Sequence, residues 1–530
     1  MIQLKKLAIA EDLIRAFTIH QLNQDMRKIK NALISVFHKD GLDQIINKLH
    51  QLDVELYSTG GTFDYIESLG IKAHKVEDLT SYPSILGGRV KTLHPKVFGG
   101  ILARRELQSD LDQLSQYQIP EFDLVIVDLY PFEKTVASGA SEQEIIEKID
   151  IGGISLIRAG AKNFKDVIIV ASQENYADLQ KLLDEKSGIS DINDRKFFAT
   201  QAFAVSSYYD SKIYNWFAQN EENKQIRLAE KEMKVLRYGE NPHQKGYFYG
   251  NLDKVVEILA GKELSYNNLL DVDAAIRLIA DFDEPTFAIL KHNNACGIAT
   301  APTLLEAWKL ALEGDPVSAF GGILVTNRPI DMETAQEIDK LFYEVLISPD
   351  FEVTALDFLR RKGSKIILKL KMQEFDRFLV RTTLNGFLVQ NTDNQTESKE
   401  DMKVVTQVSP SESEFKDLVF ANKVVKHTKS NAMVIVKNQV LIASGVGETS
   451  RVDAFKQAIE KAKNFNKEVK GAVLASDAFF PFSDNVQIAK SVGINAIVQP
   501  GGSKRDQDSV DFCNENGMAM CFTGVRHFKH

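Results

Sequence analysis

The sequence has few cysteines, few prolines and no long apolar run. Cys296, Cys513 and Cys521 are the only cysteines among 530 residues, and none stands in a CxxC or other zinc-binding spacing. This sparse, odd-numbered set excludes a disulfide framework and favours a reducing compartment, so we predict a cytoplasmic protein. With 13 prolines, 44% hydrophobic and 26% charged residues, the composition gives no case for extensive disorder.

The sequence also lacks the features of membrane and nucleic-acid proteins. No apolar stretch approaches the roughly 18 residues of a membrane-spanning helix, and the net charge is −9. An acidic chain has no general attraction to nucleic acid or to an anionic membrane, so we expect neither as a partner. Any anionic ligand must then be bound by local basic clusters.

The length suggests roughly three domains. Residues 1–29 have the pattern of an appended amphipathic N-terminal extension, because Glu11, Asp12 and Arg15 interrupt the apolar residues before a secretory signal could form. Met26 is an alternative start. The polar run at 220–233 contains a predicted domain boundary.

From residue 30 onward, strand-like and helix-like segments alternate, which predicts an α/β fold with a largely parallel sheet. Between the strand VELYST and the next helix lies the turn TGGT, residues 59–62. Such a turn exposes backbone N–H groups at a positive helix end and can bind an anion. A simple tight turn is the alternative interpretation.

Two further stretches of this first region contain clustered polar groups. The loop at 82–100 brings Arg89, Lys91, Thr92, His94 and Lys96 within eight positions, a density of cations and donors that can bind phosphate. Further along, DLYPF places Tyr130 after a strand, and IDIGG places Asp150 before a helix that contains Lys162. We interpret Asp150 and Lys162 as close enough in sequence to serve one pocket, although a helix cap and a surface cation are the alternatives.

The stretch FAILKHNNACG, residues 287–297, predicts a buried strand that ends in Lys291 and His292. Ligands gather at the carboxyl ends of strands in α/β sheets, so this Lys-His pair is a candidate acid–base site. A second Lys-His pair, Lys426 and His427, stands before SNAMVIV in what we interpret as a similar strand context. Internal duplication and chance similarity both remain open.

Other segments predict binding surfaces or loops. RYGENPHQ at 237–244 contains Gly and Pro that forbid a regular element, so its polar side chains are expected to project into a site. Asn267 and Asn268 are placed before the helix DVDAAIRLIADF, and 391–400 is predicted to be an exposed polar loop. The aromatic residues of FGG at 320–322 and of SDAFFPF at 476–482 suit a flat ligand, with a core aromatic cluster as the alternative.

Nine motifs in this order closely resemble those of a bifunctional purine-biosynthesis family, the AICAR formyltransferases joined to IMP cyclohydrolase (AICAR is phosphoribosylaminoimidazolecarboxamide). The resemblance covers about residues 30–530 and rests on GRVKTLHP (88–95), DLYPF (128–132), IDIGG (149–153), AKN (161–163), RYGENPHQ (237–244), LKHNNACG (290–297), SNA (430–432), SDAFFPF (476–482) and the tail ending in His530.

The resemblance implies two reactions. A formyl group moves from 10-formyltetrahydrofolate, the cosubstrate, to the 5-amino group of AICAR, and formyl-AICAR is then cyclised to IMP with loss of water. The implied fold is α/β, with an N-terminal methylglyoxal-synthase-like parallel-sheet domain (30–225) followed by two cytidine-deaminase-like α/β subdomains (about 226–390 and 400–530). No catalytic metal is expected, since no His/Cys ligand set is present.

For the formyltransferase the resemblance implies that His292 takes the proton of the AICAR amine and that Lys291 acts on the folate side. The implied substrate contacts are Arg237, Tyr238, Asn268, Asn431, Ser450, Arg451, Phe479, Arg526 and His530. Positions of the folate or the neighbouring pocket are Phe320, Gly321, Phe482, Asp484 and Glu344, the last standing where some members have Asp. Ala295 stands where many members have Pro.

For the cyclohydrolase the resemblance implies a nucleotide-phosphate site and a reactive cluster. The phosphate site consists of Ser35, Lys39, Thr59, Gly61 and Thr62, with Arg89 and Thr92 from the basic loop. The reactive cluster consists of Lys91, Tyr130, Asp150 and Lys162. Because ring closure is intramolecular, little general-base strength is needed.

The resemblance also implies a homodimer with a shared transferase site. Two competing hypotheses are a nucleotide-binding regulatory protein without turnover and a zinc-dependent nucleoside deaminase. The retained Lys291, His292, Lys91, Asp150 and Lys162 argue against the first, and the missing metal ligands argue against the second.

Overall fold

The computed structural model describes residues 25–86, 89–221, 225–361, 363–371, 375 and 378–530. The chain divides into two compact units, with the boundary between Lys231 and Glu232. Most of the predicted N-terminal extension lies outside the described residues. Its last part belongs to the N-terminal unit, because Arg27–Lys28 form a strand and the Arg27 guanidinium pairs with Asp166 at 3.0 Å.

The N-terminal unit is built on a parallel sheet. Its strands are β1 (Arg27–Lys28), β2 (Asn31–Ser35), β3 (Glu55–Ser58), β4 (His74–Lys75), β5 (Leu124–Val127), β6 (Ile168–Val170) and β7 (Ile189–Ser190). Strands β4, β3, β2, β5 and β6 form one sheet in this order and all run parallel. The short strands β1 and β7 pair antiparallel outside it.

Helices cover both faces of this sheet. They are α1 (Leu42–Gln51), α2 (Gly60–Ser68), α3 (Val76–Thr80), α4 (Pro95–Leu102), α5 (Gln108–Gln116), α6 (Phe132–Ala137), α7 (Glu142–Ile146), α8 (Gly152–Lys162), α9 (Tyr176–Glu185) and α10 (Ile192–Phe217). Residues of α1 and α9 pack in one apolar cluster, and those of α4, α8 and α10 in another. A strand covered on both faces is apolar throughout, and β5 (LVIV) is buried at every position. The predicted parallel α/β domain is confirmed.

The strand order of this sheet reverses beside β2. The chain passes from β2 to β3 on one side and later returns to β5 on the other side. In open parallel sheets ligands bind at such a point, outside the carboxyl ends of the strands. Ser35 ends β2 and Asp128 follows β5, so these two residues lie at the expected binding edge.

The C-terminal unit contains one large sheet and two small antiparallel pairs. Its strands are β8 (Met233–Leu236), β9 (Gly246–Tyr249), β10 (Val256–Ala260), β11 (Thr286–Lys291), β12 (Asn294–Thr300), β13 (Gly322–Thr326), β14 (Tyr343–Ser348), β15 (Ile366–Leu370), β16 (Phe378–Thr383), β17 (Gly386–Asn391), β18 (Lys403–Val404), β19 (Met433–Lys437), β20 (Val440–Gly445), β21 (Val473–Ser476), β22 (Ala496–Gln499) and β23 (Ala519–Phe522). The large sheet has the order β10-β15-β14-β13-β11-β12-β20-β19-β21-β22-β23-β18, and β8–β9 and β16–β17 form the two small pairs.

Helices of this unit also lie on both faces of its large sheet. They are α11 (Tyr266–Ile279), α12 (Leu304–Gly314), α13 (Met332–Ile338), α14 (Val353–Arg360), α15 (Glu412–Lys426), α16 (Arg451–Asn464), α17 (Asp484–Ser491) and α18 (Asp506–Glu515). Residues of α11 and α15 share one apolar cluster that runs across the whole sheet. Residues of α12 to α14 and residues of α16 to α18 form separate clusters under the two halves.

The two halves of the large sheet repeat one another. Each half places its strands in the same chain order outward from the centre, and the halves meet where β12 pairs antiparallel with β20. The hairpins β11–β12 and β19–β20 both shift register two residue pairs from the turn, between Ile289 and Leu290 and between Ile435 and Val436. This repeat supports internal duplication and fits the predicted pair of α/β subdomains.

The two Lys-His pairs do not occupy equivalent places in this repeat, so that part of the sequence interpretation is wrong. Lys291 ends β11 and His292 begins its hairpin turn, whereas Lys426 ends α15 and His427 caps that helix. The true counterpart of the His292 turn is Asn438-Gln439, which has the same left-handed backbone. The same Lys-His dipeptide can stand at the end of a strand or at the end of a helix. Only the order of the strands in the sheet shows which residues occupy equivalent positions in the two halves.

Two smaller predictions also need correction. Asn268 does not precede its helix but is the third residue of α11, where its side chain and that of Ser265 form a reciprocal capping box. The predicted exposed loop at 391–400 contains a buried carboxylate, because Glu397 is only 2% exposed and accepts a hydrogen bond from Asn422 at 2.7 Å.

We predict that Gly297→Ala destabilises the contact between β12 and α12. A Cβ on Gly297 would lie 2.0 Å from the backbone oxygen of Ala311, which cannot move without shifting the helix. The expected loss is about 1–3 kcal/mol of local free energy of unfolding, measured by hydrogen exchange of amides in β12 and α12. Gly386→Ala in β17 is the matched control, because its Cβ would meet no atom within 4 Å. Equal exchange in the two variants would contradict the packing argument.

Candidate active sites

The TGGT turn forms the start of α2 at the binding edge of the N-terminal sheet. Thr59 is the residue before the helix, and Gly60 has the left-handed φ of 53° that the tight turn requires. The Thr62 hydroxyl donates to the backbone oxygen of Val36 at 2.8 Å and accepts from its N–H at 3.1 Å. This side chain therefore fixes the loop after β2 to the helix N-terminus, whose free N–H groups face the same edge.

The basic loop approaches the same helix end. A Cβ on Gly60 would lie only 3.3 Å from Nζ of Lys91, so the ammonium is beside the turn. The next residue, Thr92, is buried, and its hydroxyl lies 3.3 Å from the position of a Cβ on Gly152, the first residue of α8. Residues 91–92 thus connect the starts of two helices, and both helix ends favour negative charge.

The other predicted phosphate contacts differ in their burial and in their hydrogen-bond partners. Lys39 donates through Nζ to the backbone oxygens of Val36 and Phe37, and burial lowers its pKa, with Asp128 opposing the shift. Ser35 is half-buried at the end of β2, and Gly61 is exposed. The exposed side chain of Arg89 forms an ion pair with Glu147.

Asp150 and Tyr130 are brought together beside the start of α8. Burial raises the pKa of the Asp150 carboxyl, while the N–H groups of Gly153, Tyr130 and Ile154 oppose the shift. The Gly153 N–H donates to Asp150 Oδ1 at 2.6 Å, and a Cβ at Gly153 would collide with that carboxylate at 2.9 Å. Burial also raises the pKa of the Tyr130 phenol, and Asp150 adds to that shift.

Lys162 does not lie with this pair. It is the last residue of α8, and at a rise of about 1.5 Å per residue it stands roughly 15 Å along the axis from the first. Its side chain is exposed. The structure therefore places Asp150 and Lys162 at opposite ends of one helix, and a shared pocket stays a prediction.

Sequence reasoning missed two residues of this site, His38 and Asp128. The Asp128 carboxylate accepts from the backbone N–H groups of Phe37 and His38 and lies 2.8 Å from Nδ1 of His38. It thereby clamps the loop between Ser35 and Lys39 to the end of β5. An acidic residue directly after a buried strand was the available signal, because DLYPF contains it.

In the C-terminal unit the predicted Lys-His pair lies at a tight hairpin tip. His292 and Asn293 both have left-handed backbones, with φ of 51° and 65°, as a two-residue turn of this type requires. Lys291 donates through Nζ to the backbone oxygen of Phe320 at 2.9 Å. The His292 ring is exposed, so it is accessible to a ligand.

Besides the Phe320 segment, two neighbouring segments hold this tip. The Asn293 N–H donates to Asp271 of α11 at 2.6 Å, and Asn294 accepts through Oδ1 from the Lys429 N–H at 2.9 Å. Burial raises the pKa of the Asp271 carboxyl, although the nearby His292 opposes the shift. Sequence reasoning missed Asp271, because this residue lies within α11 and belongs to none of the motifs that the sequence shows.

The predicted contacts on the α11 side are also connected. Asn268 is buried and donates through Nδ2 to Glu344 at 2.8 Å, and its Oδ1 accepts from Ser265. Asn267 donates to the backbone oxygen of Glu240, which ties the loop containing Arg237 and Tyr238 to α11. Phe320 and Gly321 lie beside Phe342, with the Phe rings 5.2 Å apart.

A second group surrounds the start of α16. Arg451 donates to the Ser476 hydroxyl at 2.9 Å and to Asp477 at 2.8 Å, and burial lowers the pKa of its guanidinium while Asp477 opposes the shift. Asn431 donates to the backbone oxygen of Glu448 at 3.0 Å. The Ser450 hydroxyl is used as a helix cap, since it accepts from the Asp453 N–H at 3.0 Å.

The remaining predicted residues lie at the outer side of this group. Phe479 is exposed, and Phe482 packs against the Arg505 guanidinium at 5.1 Å. Asp484 begins α17 and accepts from the Asn485 N–H. Arg526 and His530 both lie near the ring of Phe528 in the chain's last residues.

In the part of the chain that the structure describes, no group of three or more His, Cys, Asp or Glu side chains could bind a metal ion. None of the helices described there is long and apolar enough to cross a membrane. The three cysteines are free and buried.

Comparison with known proteins gives concordant matches over both units. A family model described as AICARFT/IMPCHase bienzyme matches residues 160–461, and one described as MGS-like domain matches residues 41–155. The "Bifunctional purine biosynthesis protein PurH" of Bacteroides thetaiotaomicron is 60% identical over 506 residues, which cover 96% of this chain and 100% of that protein. Proteins of the same name from Aquifex aeolicus and Caldicellulosiruptor bescii are 46% and 43% identical, and each comparison covers 94% of this chain and 100% of the relative.

We predict that inorganic phosphate binds at the start of α2 and that Lys91 is needed for it. Phosphate should slow hydrogen exchange of the amides at 60–62. Lys91→Met should weaken this binding by roughly tenfold or more, because a hydrogen bond to a charged group contributes about 1.5–3 kcal/mol. Lys72→Met, an exposed lysine of the same unit, is the control. Equal protection in Lys91→Met and wild type would contradict the predicted site.

Proposed function

Because the chain belongs to the AICARFT/IMPCHase bienzyme family, we propose how its two units divide the chemistry of that family. The protein is a bifunctional enzyme of purine biosynthesis, with formyltransferase and cyclohydrolase activities. We assign formyl transfer to the C-terminal unit around the β11–β12 hairpin tip. We assign cyclisation to the parallel-sheet unit around Lys91, Tyr130 and Asp150.

The observation that carries the transferase assignment is the hairpin tip. It presents an exposed imidazole next to a lysine whose ammonium is fixed to the backbone of Phe320. We propose that the AICAR amine attacks the formyl carbon of 10-formyltetrahydrofolate while His292 takes the amine proton. Lys291 then supplies a proton to the folate nitrogen as its bond to the formyl carbon breaks. Tetrahydrofolate and formyl-AICAR are the products.

The substrate contacts of this site lie on the segments that hold the tip. AICAR is assigned to Asn268, Asn431, Arg451 and Phe479, with the loop of Arg237 and Tyr238 and the tail residues Arg526 and His530. The direct link from Asn294 to Lys429, two residues before Asn431, supports one continuous pocket. Folate is assigned to the side of Phe320, Gly321 and Glu344, with Phe482 and Asp484 as outer contacts.

For cyclisation, the phosphate of formyl-AICAR is assigned to the start of α2, with Ser35, Lys39 and Thr62 around it. The carboxamide nitrogen attacks the formyl carbon, and Lys91 stabilises the oxyanion that forms. One proton from the carboxamide nitrogen and one from the nitrogen that bears the formyl group join that oxygen, which departs as water. The buried Asp150 carboxyl, with its raised pKa, suits the transfer of one of them.

A homodimer is the quaternary state we propose. Strands β16 and β17 form a separate hairpin whose large apolar side chains are exposed, including Leu379, Val380, Leu384, Phe387, Leu388 and Val389. A second copy of the chain is the occupant that fits this surface. Arg381 of the hairpin donates to the backbone oxygen of His530 at 3.3 Å, so a partner covering the hairpin would lie beside the transferase pocket. Three free, buried thiols support a cytoplasmic location.

We predict that His292→Ala and Asp150→Asn separate the two activities. His292→Ala should lower kcat of formyl transfer by roughly 10²–10⁴-fold, the usual contribution of a general base. It should leave cyclisation of supplied formyl-AICAR intact. Asp150→Asn should lower kcat of cyclisation and leave formyl transfer intact. Tetrahydrofolate release and IMP formation are followed spectrophotometrically. Loss of both activities in one folded variant would contradict the two-site assignment, and no folate turnover in wild type would contradict the formyl donor.

We predict that Leu388→Asp converts the dimer to a monomer. The substitution puts a charge in the centre of the exposed apolar hairpin, where burial without a partner is costly. Sedimentation velocity measures the change. Val353→Asp, at an exposed apolar residue outside the hairpin, is the control. An unchanged sedimentation coefficient in Leu388→Asp, or a wild-type monomer, would refute the hairpin interface.

A further inference from the structure

The last residues of the chain, 525–530 (here the C-terminal tail), alternate between outward and inward side chains. Arg526, Phe528 and His530 are exposed, whereas His527 is only 2% exposed and Lys529 is half-buried. Alternation of this kind is the property of an extended chain, in which neighbouring side chains point to opposite sides. The inward residues therefore determine which residues face outward.

Backbone hydrogen bonds attach the tail to the pocket wall. The His527 N–H donates to the backbone oxygen of Asp477 at 3.1 Å, and the Ser430 N–H donates to that of Lys529 at 2.8 Å. Lys529 in turn donates through its own N–H to the Ser430 hydroxyl at 3.0 Å. Ser430 and Asp477 adjoin Asn431 and Arg451, so the tail runs along the proposed nucleotide contacts.

The His527 side chain is bound at both ring nitrogens. Nδ1 lies 2.7 Å from Asp393 and Nε2 lies 2.9 Å from Glu397. A carboxylate accepts hydrogen bonds and does not donate, so both ring nitrogens carry protons and the ring is an imidazolium. Glu397 is itself 2% exposed and is fixed by Asn422. The tail is thus anchored on an ion cluster from the segment that joins β17 to β18, in which Glu397 is buried and Asp393 is half-exposed.

The proposal concerns what this anchor does for the reaction. We propose that His527 is a positioning residue of the formyltransferase: held between Asp393 and Glu397, it sets the register in which the tail presents Arg526 and His530 to the phosphorylated substrate. The inference rests on the proposed role of Arg526 and His530. A slip of one residue would turn both away from the pocket and bring Phe528 inward, and the cluster prevents it.

The protonation of His527 gives the anchor a defined pH range. Burial lowers the pKa of His527, but hydrogen bonds to Asp393 and Glu397 outweigh it and raise the pKa to about 9. Burial raises the pKa of the Asp393 carboxyl, but the hydrogen bond and charge of His527, with a smaller contribution from Lys426 of α15, outweigh it and lower that pKa. Because the folded pKa lies above the ordinary value of 6.5, the anchor is fully present below about pH 6.5 and is lost as the pH rises through about 9.

Two isosteric variants test the proposal. His527→Asn places an amide near Nδ1 and keeps a donor for Asp393, while His527→Gln keeps one for Glu397. Both lose the charge and one partner, so KM for AICAR should rise roughly tenfold with kcat nearly unchanged, as expected when binding is weakened uniformly. His50→Gln, an exposed histidine of the other unit, is the control. Cyclisation by the same protein reports whether the variant chain is intact and should not change.

A double variant and a pH series sharpen the result. Asp393→Asn should add little to the KM effect of His527→Gln, because both remove the same contact. In wild type KM for AICAR should rise above pH about 9, while in His527→Gln this rise should be absent. Full additivity, or the same pH dependence in both proteins, would overturn the proposal.

Hydrogen exchange separates this proposal from the function on which it rests. His527→Asn should speed exchange of the tail amides, whereas Arg526→Ala should raise KM for AICAR without loosening the tail. If Arg526→Ala leaves KM unchanged while His527→Asn loosens the tail, the assigned role of the tail in substrate binding fails. If His527→Asn changes neither exchange nor KM, or loosens the tail at constant KM, the positioning role is refuted.

Discussion

The antiparallel pairing of β12 with β20 is the contact on which the transferase region depends. It joins two half-sheets whose strands follow the same order, and Ala299 opposite Val440 sets the register. Because these strands run antiparallel, the start of β12 lies toward the end of β20. The tip containing Lys291 and His292 therefore reaches the second half-sheet, where Asn294 binds the Lys429 N–H. The proposed transferase pocket therefore draws on groups from both halves because of this single junction.

Buried carboxylates organise both units. In the N-terminal unit Asp128 binds two backbone N–H groups and His38, and so fixes the loop between Ser35 and Lys39. In the C-terminal unit the buried Glu397, together with the half-exposed Asp393, holds His527. A buried carboxylate is costly unless donors surround it. Each therefore restricts the backbone that supplies those donors, and in both units that backbone carries proposed substrate contacts.

The two proposed sites are built by different means for similar ligands. The N-terminal unit relies on the ends of α2 and α8, where free N–H groups and Lys91 lie at the edge of a parallel sheet. The C-terminal unit relies on side chains, such as Arg451 held by Asp477 and the tail held by His527. Helix ends bind a phosphate with little sequence requirement, whereas a site built from distant side chains needs each of them to be anchored.

The sequence by itself determined what depends on neighbouring residues. Strand–helix alternation predicted the parallel sheet, Gly60 and Gly61 predicted the turn into α2, and IDIGG predicted that Asp150 precedes α8, because periodicity and turns are encoded within a few positions. The tertiary structure alone decided that Lys426 and His427 end a helix and that Glu397 is buried. It also paired His38 with Asp128 and His527 with Asp393, over 90 and 134 residues of chain. Such pairs depend on which elements pack together, and no local pattern in the sequence contains that information.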